Sequence, residues 1–300
     1  MEAKKRGILL VILGTSMLVF MLALSFFPMI LLSPEDTVTK RLMYDENGNI
    51  MGVAPFSPKE SPPLGTNKLG ENLLYLIISG AKYTILFVLV ASLVRTMISF
   101  ILGSILSFYN QKISFRFSSI IPQAFYFFPQ ALFVYIIMMS LDTQSIGYLF
   151  IQFSLIVMIG VLPNATLFSY ELKEELNKDY IKILRVSRIS KLHIFRKHLF
   201  SFIKERMILH LLNNNLQLIV LLIHLGVLGV FIGGSIVIPI ESGITKSFSI
   251  TNEWSGLIGA DFRSISYTPW IAIAPLIGFS LFFISINIIL KGSKLLLYRR

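Results

Sequence analysis

The chain has 300 residues, of which 54% are hydrophobic and only 14% charged; soluble domains average about 25% charged. Too little polar surface remains to cover a water-soluble globule, so composition places the chain in a membrane. The formal net charge of +11 is scattered over short segments between apolar runs, which argues against nucleic-acid binding, and the absence of cysteine excludes disulfides, thiolate nucleophiles and cysteine metal sites.

Lys4, Lys5 and Arg6 precede an apolar run from Gly7 to Leu32. That run is longer than the roughly 7–15 residues of a signal-peptide core, so an uncleaved first transmembrane helix is expected. The polar stretch 33–72 holds Pro34, Pro55, Pro58, Pro62 and Pro63. Within it a small extramembrane hairpin is expected, Thr37 to Tyr44 against Ile50 to Val53, turned at Asn47-Gly48. Thr66 or Asn67 is positioned to cap a short amphipathic helix, Glu71 to Ser79, lying at the membrane interface. The chain thus divides into residues 1–72, a helix with an external loop, and 73–300, a transmembrane domain.

Further spans are expected at Ala81 to Tyr109, Ile120 to Ser140, Ile146 to Phe168, Met207 to Phe231 and Pro269 to Leu290. Each is long enough to cross about 30 Å of hydrocarbon. Only helices satisfy their own backbone hydrogen bonds there without closing a barrel. The fold class is therefore an all-α integral membrane protein of about six transmembrane helices. A second polar loop, Gly233 to Thr268, separates the last two. Of the 27 Lys+Arg, 19 fall in the segments that lie inside if both termini are cytoplasmic, against six in the two outer loops. The positive-inside bias favours that orientation. The terminal basic clusters need no further role than topology and contact with anionic lipid.

The basic, amphipathic segment Asn177 to Leu199 sits between two long apolar runs. A charged segment there must meet water, lipid surface or a soluble partner. No Gly-x-x-x-x-Gly-Lys-Ser/Thr occurs, so the chain cradles no nucleotide itself. The histidines at 193, 198, 210 and 224 form no metal motif. No acidic residue falls inside the expected spans, which leaves no intramembrane proton relay. No catalytic constellation is present, and the chain is read as a non-enzyme.

Within the spans, Arg95 is the costly residue, at about 2.5–3.5 kcal/mol on insertion scales. It either faces an anionic solute in a path or contacts backbone carbonyls of a neighbouring helix. Asn213, Asn214, Asn215 and Gln217 cluster at the inner end of the fifth span, where they line a hydrated path or tie the span to the basic segment. Together with Arg95 they form the candidate translocation path. Gly226, Gly229 and Gly233 have the spacing of close helix packing. Pro122, Pro129 and Pro163 bend their spans.

These residues resemble a known family. Pro63-Leu64-Gly65-Thr66-Asn67-Lys68-Leu69-Gly70 followed by Gly80-Ala81-Lys82 is similar to a Pro-Leu-Gly-Thr-Asp-x-x-Gly … Gly-Ala-Arg pattern. Glu253-Trp254-Ser255-Gly256-Leu257-Ile258, then Pro269-Trp270-Ile271-Ala272 and Pro275, resembles a Trp-Gly … Pro-Trp-x-Ala-x-x-Pro stretch. Both belong to the C-type permease subunit of oligopeptide and dipeptide ABC importers. Asn287 falls where that family has an asparagine near the end of the last span. Tyr180, Arg185, Ser190, Leu192, Ile194 and His198 match its cytoplasmic coupling motif. The motif is diverged: Ile183, Leu184 and Arg188 replace its paired alanines and glycine, and Ser201 replaces its proline.

The resemblance implies a type I ABC importer permease fold in a bacterial plasma membrane. It implies half of a translocation path for di- or oligopeptides or a related small solute, completed by a second permease subunit in a heterodimer. Two ATPase subunits, which bind ATP and Mg, would grip a coupling helix at about 178–191. The groove contacts would be Tyr180, Ile183, Leu184, Arg185, Val186, Arg188, Ser190 and His198. A lipid-anchored or periplasmic solute-binding protein would deliver cargo outside. No cofactor is implied on this chain. Alternative readings are a membrane scaffold or sensor that kept the fold, and an importer for nickel or metallophore complexes.

Overall fold

Uninterrupted apolar runs with no charge to solvate become long helices, because a helix alone satisfies every backbone group within one segment. In the computed structural model, which describes residues 2–28, 38–45, 47–108, 129–145, 147–186, 196, 200–241 and 244–297, the elements in chain order begin with α1 (Glu2–Phe26), β1 (Leu42–Tyr44), β2 (Ile50–Val53) and α2 (Leu73–Phe108). There follow α3 (Gln130–Met138), α4 (Tyr148–Leu176), α5 (Asp179–Val186) and α6 (Phe200–Val227). The chain ends with β3 (Ser235–Glu241), β4 (Ile244–Ser249), α7 (Trp254–Asp261) and α8 (Pro269–Leu297).

Among the described residues, five helices are long and apolar enough to cross a membrane: α1, α2, α4, α6 and α8. Of the expected third span, only α3 and its immediate flanks are described, and residues 120–128 lie outside the described residues. The chain is therefore a helical membrane protein with little sheet.

The expected separate helix at Glu71 to Ser79 does not form. Residues 73–79 are instead the first turns of the 36-residue α2, and Glu71 and Asn72 precede it. Asn72, not Thr66 or Asn67, caps it, with Oδ1 accepting from the backbone N–H of Leu74 at 2.9 Å. Asn67 instead closes the turn before it, accepting from Leu69 and Glu71 N–H, both at 2.9 Å. Nothing in 71–82 interrupts the helix strongly enough to divide it.

The first hairpin forms near its expected place. Leu42 pairs with Val53 and Tyr44 with Ile50, Gly48 turns the chain at φ +80°, and a bulge falls beside Met51. The second polar loop is more structured than composition suggested: β3 and β4 pair as a hairpin, and α7 follows. Of the three glycines expected to pack helices, only Gly226 does, against Ser255 O of α7. Gly229 and Gly233 lie past the end of α6, at φ +86° and +81°, where they turn the backbone.

α1 runs antiparallel to α8, with Gly7 against Gly292 and Leu296 and Gly14 against Ser285 and Ile289. Both chain ends therefore lie at the same end of the bundle, with α5. Both hairpins and α7 gather at the other. There the two motif stretches from opposite ends of the sequence meet: Trp270 Nε1 donates to Thr66 O at 3.4 Å, and Trp254 Nε1 to Ile77 O at 2.8 Å.

Candidate functional site

An α-helix returns to the same face at steps of four, seven and eleven residues. On α6 this places Asn213, Gln217 and His224 in one exposed stripe, interleaved with exposed Val220 and Val227. The exposed faces of the other spans are apolar, for example Leu86, Val90, Leu93 and Met97 on α2 and Ile273, Ile277, Leu281 and Ile284 on α8. The exposed hydroxyls of Thr15, Ser16 and Ser280 donate to carbonyls of their own helices. An amide turned to hydrocarbon costs about 2–7 kcal/mol without a partner. The α6 stripe therefore suits water or another protein surface rather than lipid. Sequence reading found Asn213 and Gln217 but missed His224; its place seven residues beyond Gln217 was the available signal. The stripe's polar residues also start mid-helix rather than at the inner end, because α6 begins at Phe200.

Behind the stripe lies a buried polar cluster. Asn214, 1% exposed, ties three helices: its Oδ1 accepts from Asn164 Nδ2 at 2.9 Å, and its Nδ2 donates to Thr96 Oγ1 at 2.8 Å. Thr96 Oγ1 in turn donates a hydrogen bond to Ser92 O at 2.7 Å. Asn215, also 1% exposed, donates to Leu211 O at 2.8 Å, and its Oδ1 has no partner among the described residues.

Arg95 is 1% exposed and points into the α2–α4 seam, where its guanidinium donates to Ile156 O. Its Nε has no partner among the described residues. Pro163 removes one backbone donor from α4, and several carbonyls around it are held by side chains. Arg95 takes that of Ile156, Asn164 that of Gly160 at 2.8 Å, Ser99 that of Val161 at 3.2 Å and Thr166 that of Pro163 at 2.8 Å. Of the five residues read as a candidate path, Asn213 and Gln217 are exposed, whereas Arg95, Asn214 and Asn215 are buried among helices.

At the opposite end from the hairpins, α5 packs onto the bundle through Ile181. Ile181 is fully buried in a small apolar cluster with Leu172 and Leu176 of α4 and Ile203 of α6. Glu175 fastens the start of the helix, accepting from Tyr180 Oη at 2.6 Å and pairing with Lys178 at 2.7 Å. Partial burial, then the hydrogen bond to Glu175 and its charge, push the Tyr180 hydroxyl up to about 12. One turn back on α4, Glu171 meets His210 at 3.0 Å and Arg206 at 3.7 Å. Ile183 is 66% exposed. Leu184, Arg185 and Val186 belong to α5, but their side chains lie outside the described residues, as do Arg188, Ser190 and His198 altogether.

Compared with known proteins, the chain matches no family model and no curated protein.

Proposed function

We propose that the chain is a transmembrane permease subunit of an ATP-driven importer. It forms half of a path for peptides or a related small solute, completed by a second permease chain. The observation that carries this reading is the exposed Asn213, Gln217 and His224 stripe on a helix otherwise built for a membrane. Such a stripe is stable beside water or a second chain, and a path at a subunit interface supplies both. The buried tie from Asn214 to Asn164 and Thr96 supports it, because it holds the stripe's helix rigidly from behind.

In this mechanism α5 receives the force. Two ATPase subunits bind ATP and Mg, and their closure moves α5 as a rigid body. Its seating by Ile181 and Glu175 on α4 and α6 links it to the stripe. Exposed Ile183 offers an apolar anchor for the ATPase groove. The excess of Lys and Arg near α5 supports a cytoplasmic location for it and for both chain ends, in a multi-pass plasma-membrane protein. A solute-binding protein would then meet the opposite end, where the hairpins gather.

Because the chain has no cysteine, single introduced cysteines report cleanly. In native membranes, Gln217→Cys and His224→Cys are expected to react with a membrane-impermeant thiol reagent, and Leu93→Cys and Ile277→Cys are not. Inert cysteines at all four positions would end the path reading. Glutamates at Leu184 and Arg185 are expected to abolish ATP-dependent uptake while insertion into the membrane persists.

A further inference from the structure

At the end of the bundle that carries the hairpins, a cavity of about 200 Å³ opens between the turn before α2, the β3–β4 hairpin, α7 and the start of α8. It is smaller than the roughly 300–1,000 Å³ typical of drug-sized sites, so its occupant is small. Phe248, Leu257 and Ile271 supply apolar wall. Glu71, Asp261 and Asn252 are the polar residues that line it beside Asn67 and Ser249.

Those polar groups are only partly used. Glu71 Oε2 accepts from Asn67 Nδ2 at 2.6 Å, and no cation pairs with this carboxylate among the described residues. Asp261 is buried, and both its cations, Lys246 and Lys68, sit on Oδ1. Neither lysine lines the cavity. Glu71 Oε1, Asp261 Oδ2 and the Asn252 side-chain amide have no hydrogen-bond partner among the described residues. Asn252 is also held at φ +52°, the one non-glycine residue at positive φ among the described residues. The unspent groups are dominated by acceptors and include a carboxylate, Glu71, with no directly paired cation among the described residues. The matching ligand head is a cation with several donors, and the wall calls for an aliphatic body. A primary ammonium offers three donors and one charge. A carboxylate head would meet Glu71 and be repelled.

The geometry points to a binding site for a small aliphatic primary ammonium, with Glu71 as its counter-charge and Phe248, Leu257 and Ile271 around its hydrocarbon. That chemistry is shared by free alkylamines and by the amino-terminal residue of a peptide. The site stands apart from the α6 stripe, and its existence does not depend on the permease reading.

The test uses the intact protein in lipid nanodiscs. Both tryptophans of the chain lie on elements that wall the cavity: Trp254 begins α7, and Trp270 lies in the first turn of α8, next to the lining residue Ile271. Intrinsic fluorescence is titrated with isoamylamine, with isoamyl alcohol as its uncharged counterpart, and with leucyl-glycinamide and its N-acetyl form. A saturable response to isoamylamine, absent with the alcohol, is expected. Glu71→Gln should weaken it about tenfold or more, as loss of a charged hydrogen bond does. Ala260→Leu, which fills the cavity from α7, should remove it. A response to leucyl-glycinamide but not its acetylated form assigns a peptide terminus; a response to the amine alone assigns a free amine. No saturable response to either amine, equal responses to amine and alcohol, or unchanged affinity in Glu71→Gln would overturn the proposal.

Discussion

The guanidinium of Arg95 occupies the place where any side chain at Gly160 would stand. A Cβ at 160 would lie 2.3 Å from Arg95 Cζ. Glycine there is what lets a mid-span arginine reach Ile156 O and stay out of the lipid. Gly160→Ala is expected to cost about 1–3 kcal/mol, as overpacking does, seen as a lower melting temperature in detergent. Adding Arg95→Met should restore most of that loss, because the thioether chain bends where the planar guanidinium does not. A Gly160→Ala protein as stable as the parent would show that Arg95 rests elsewhere.

Glu175 holds the start of α5 through Tyr180 and Lys178. Burial is the largest cause of the raised Tyr180 hydroxyl, and Glu175 adds to it. In Glu175→Gln the hydroxyl should ionise below its present value of about 12, without returning fully to that of a free tyrosine. The tyrosinate absorbance difference between this variant and its Tyr180→Phe derivative isolates the residue. Amide hydrogens of α5 should exchange faster in the same variant. A midpoint that does not move would mean that the Glu175 contact is not made in solution.

Glu253 is the fully buried N-cap of α7. Oε1 accepts from Ile232 N–H at 3.1 Å, and Oε2 from Ser255 N–H at 2.7 Å and Ser255 Oγ at 2.6 Å. Burial raises this carboxyl above its ordinary 4.5, outweighing the donors that lower it. A carboxyl raised on folding contributes stability that is present below its unfolded pKa and is lost as pH rises through the folded one. The protein should therefore lose stability as pH climbs from about the ordinary glutamate value. Glu253→Gln should flatten that slope and cost about 1–3 kcal/mol, since one amide cannot accept from both sides. Thermal melts of the two proteins over the same pH series decide it; parallel curves would rule out Glu253 as the source.

Legibility varied by element. Five of the six expected spans coincide with long apolar helices, because an apolar run about 30 Å long has one stable solution in a bilayer. The first hairpin read correctly because Asn47-Gly48 marks a turn locally, and Asp45 Oδ1 braces it through the N–H groups of Asn47 and Asn49 at 2.6 and 3.1 Å. The region 235–261 read poorly. Its β3–β4 hairpin carries Pro239 inside a strand, which argues against a strand when read locally. Glu253 caps α7 locally through Ser255 N–H, but its other oxygen is held by Ile232 N–H, 21 residues earlier. The division at 71–79 failed because amphipathic patterning marks a helix but not whether it continues.

The chain's order alone determined the apolar surroundings of its long runs and the number and approximate limits of those runs. Both follow from local composition against a bilayer of fixed thickness. Only the packed bundle decided which polar residues within those runs meet one another and which remain on the surface. Asn213 and Asn214 are neighbours in sequence, yet about 100° of helical rotation puts one on the open face and the other between Asn164 and Thr96. That sorting rests on contacts between helices more than 40 residues apart in the chain, as with Asn214 and Asn164, separated by 50. Local periodicity sets the angle between two side chains, but the neighbouring helix alone determines which of them is covered.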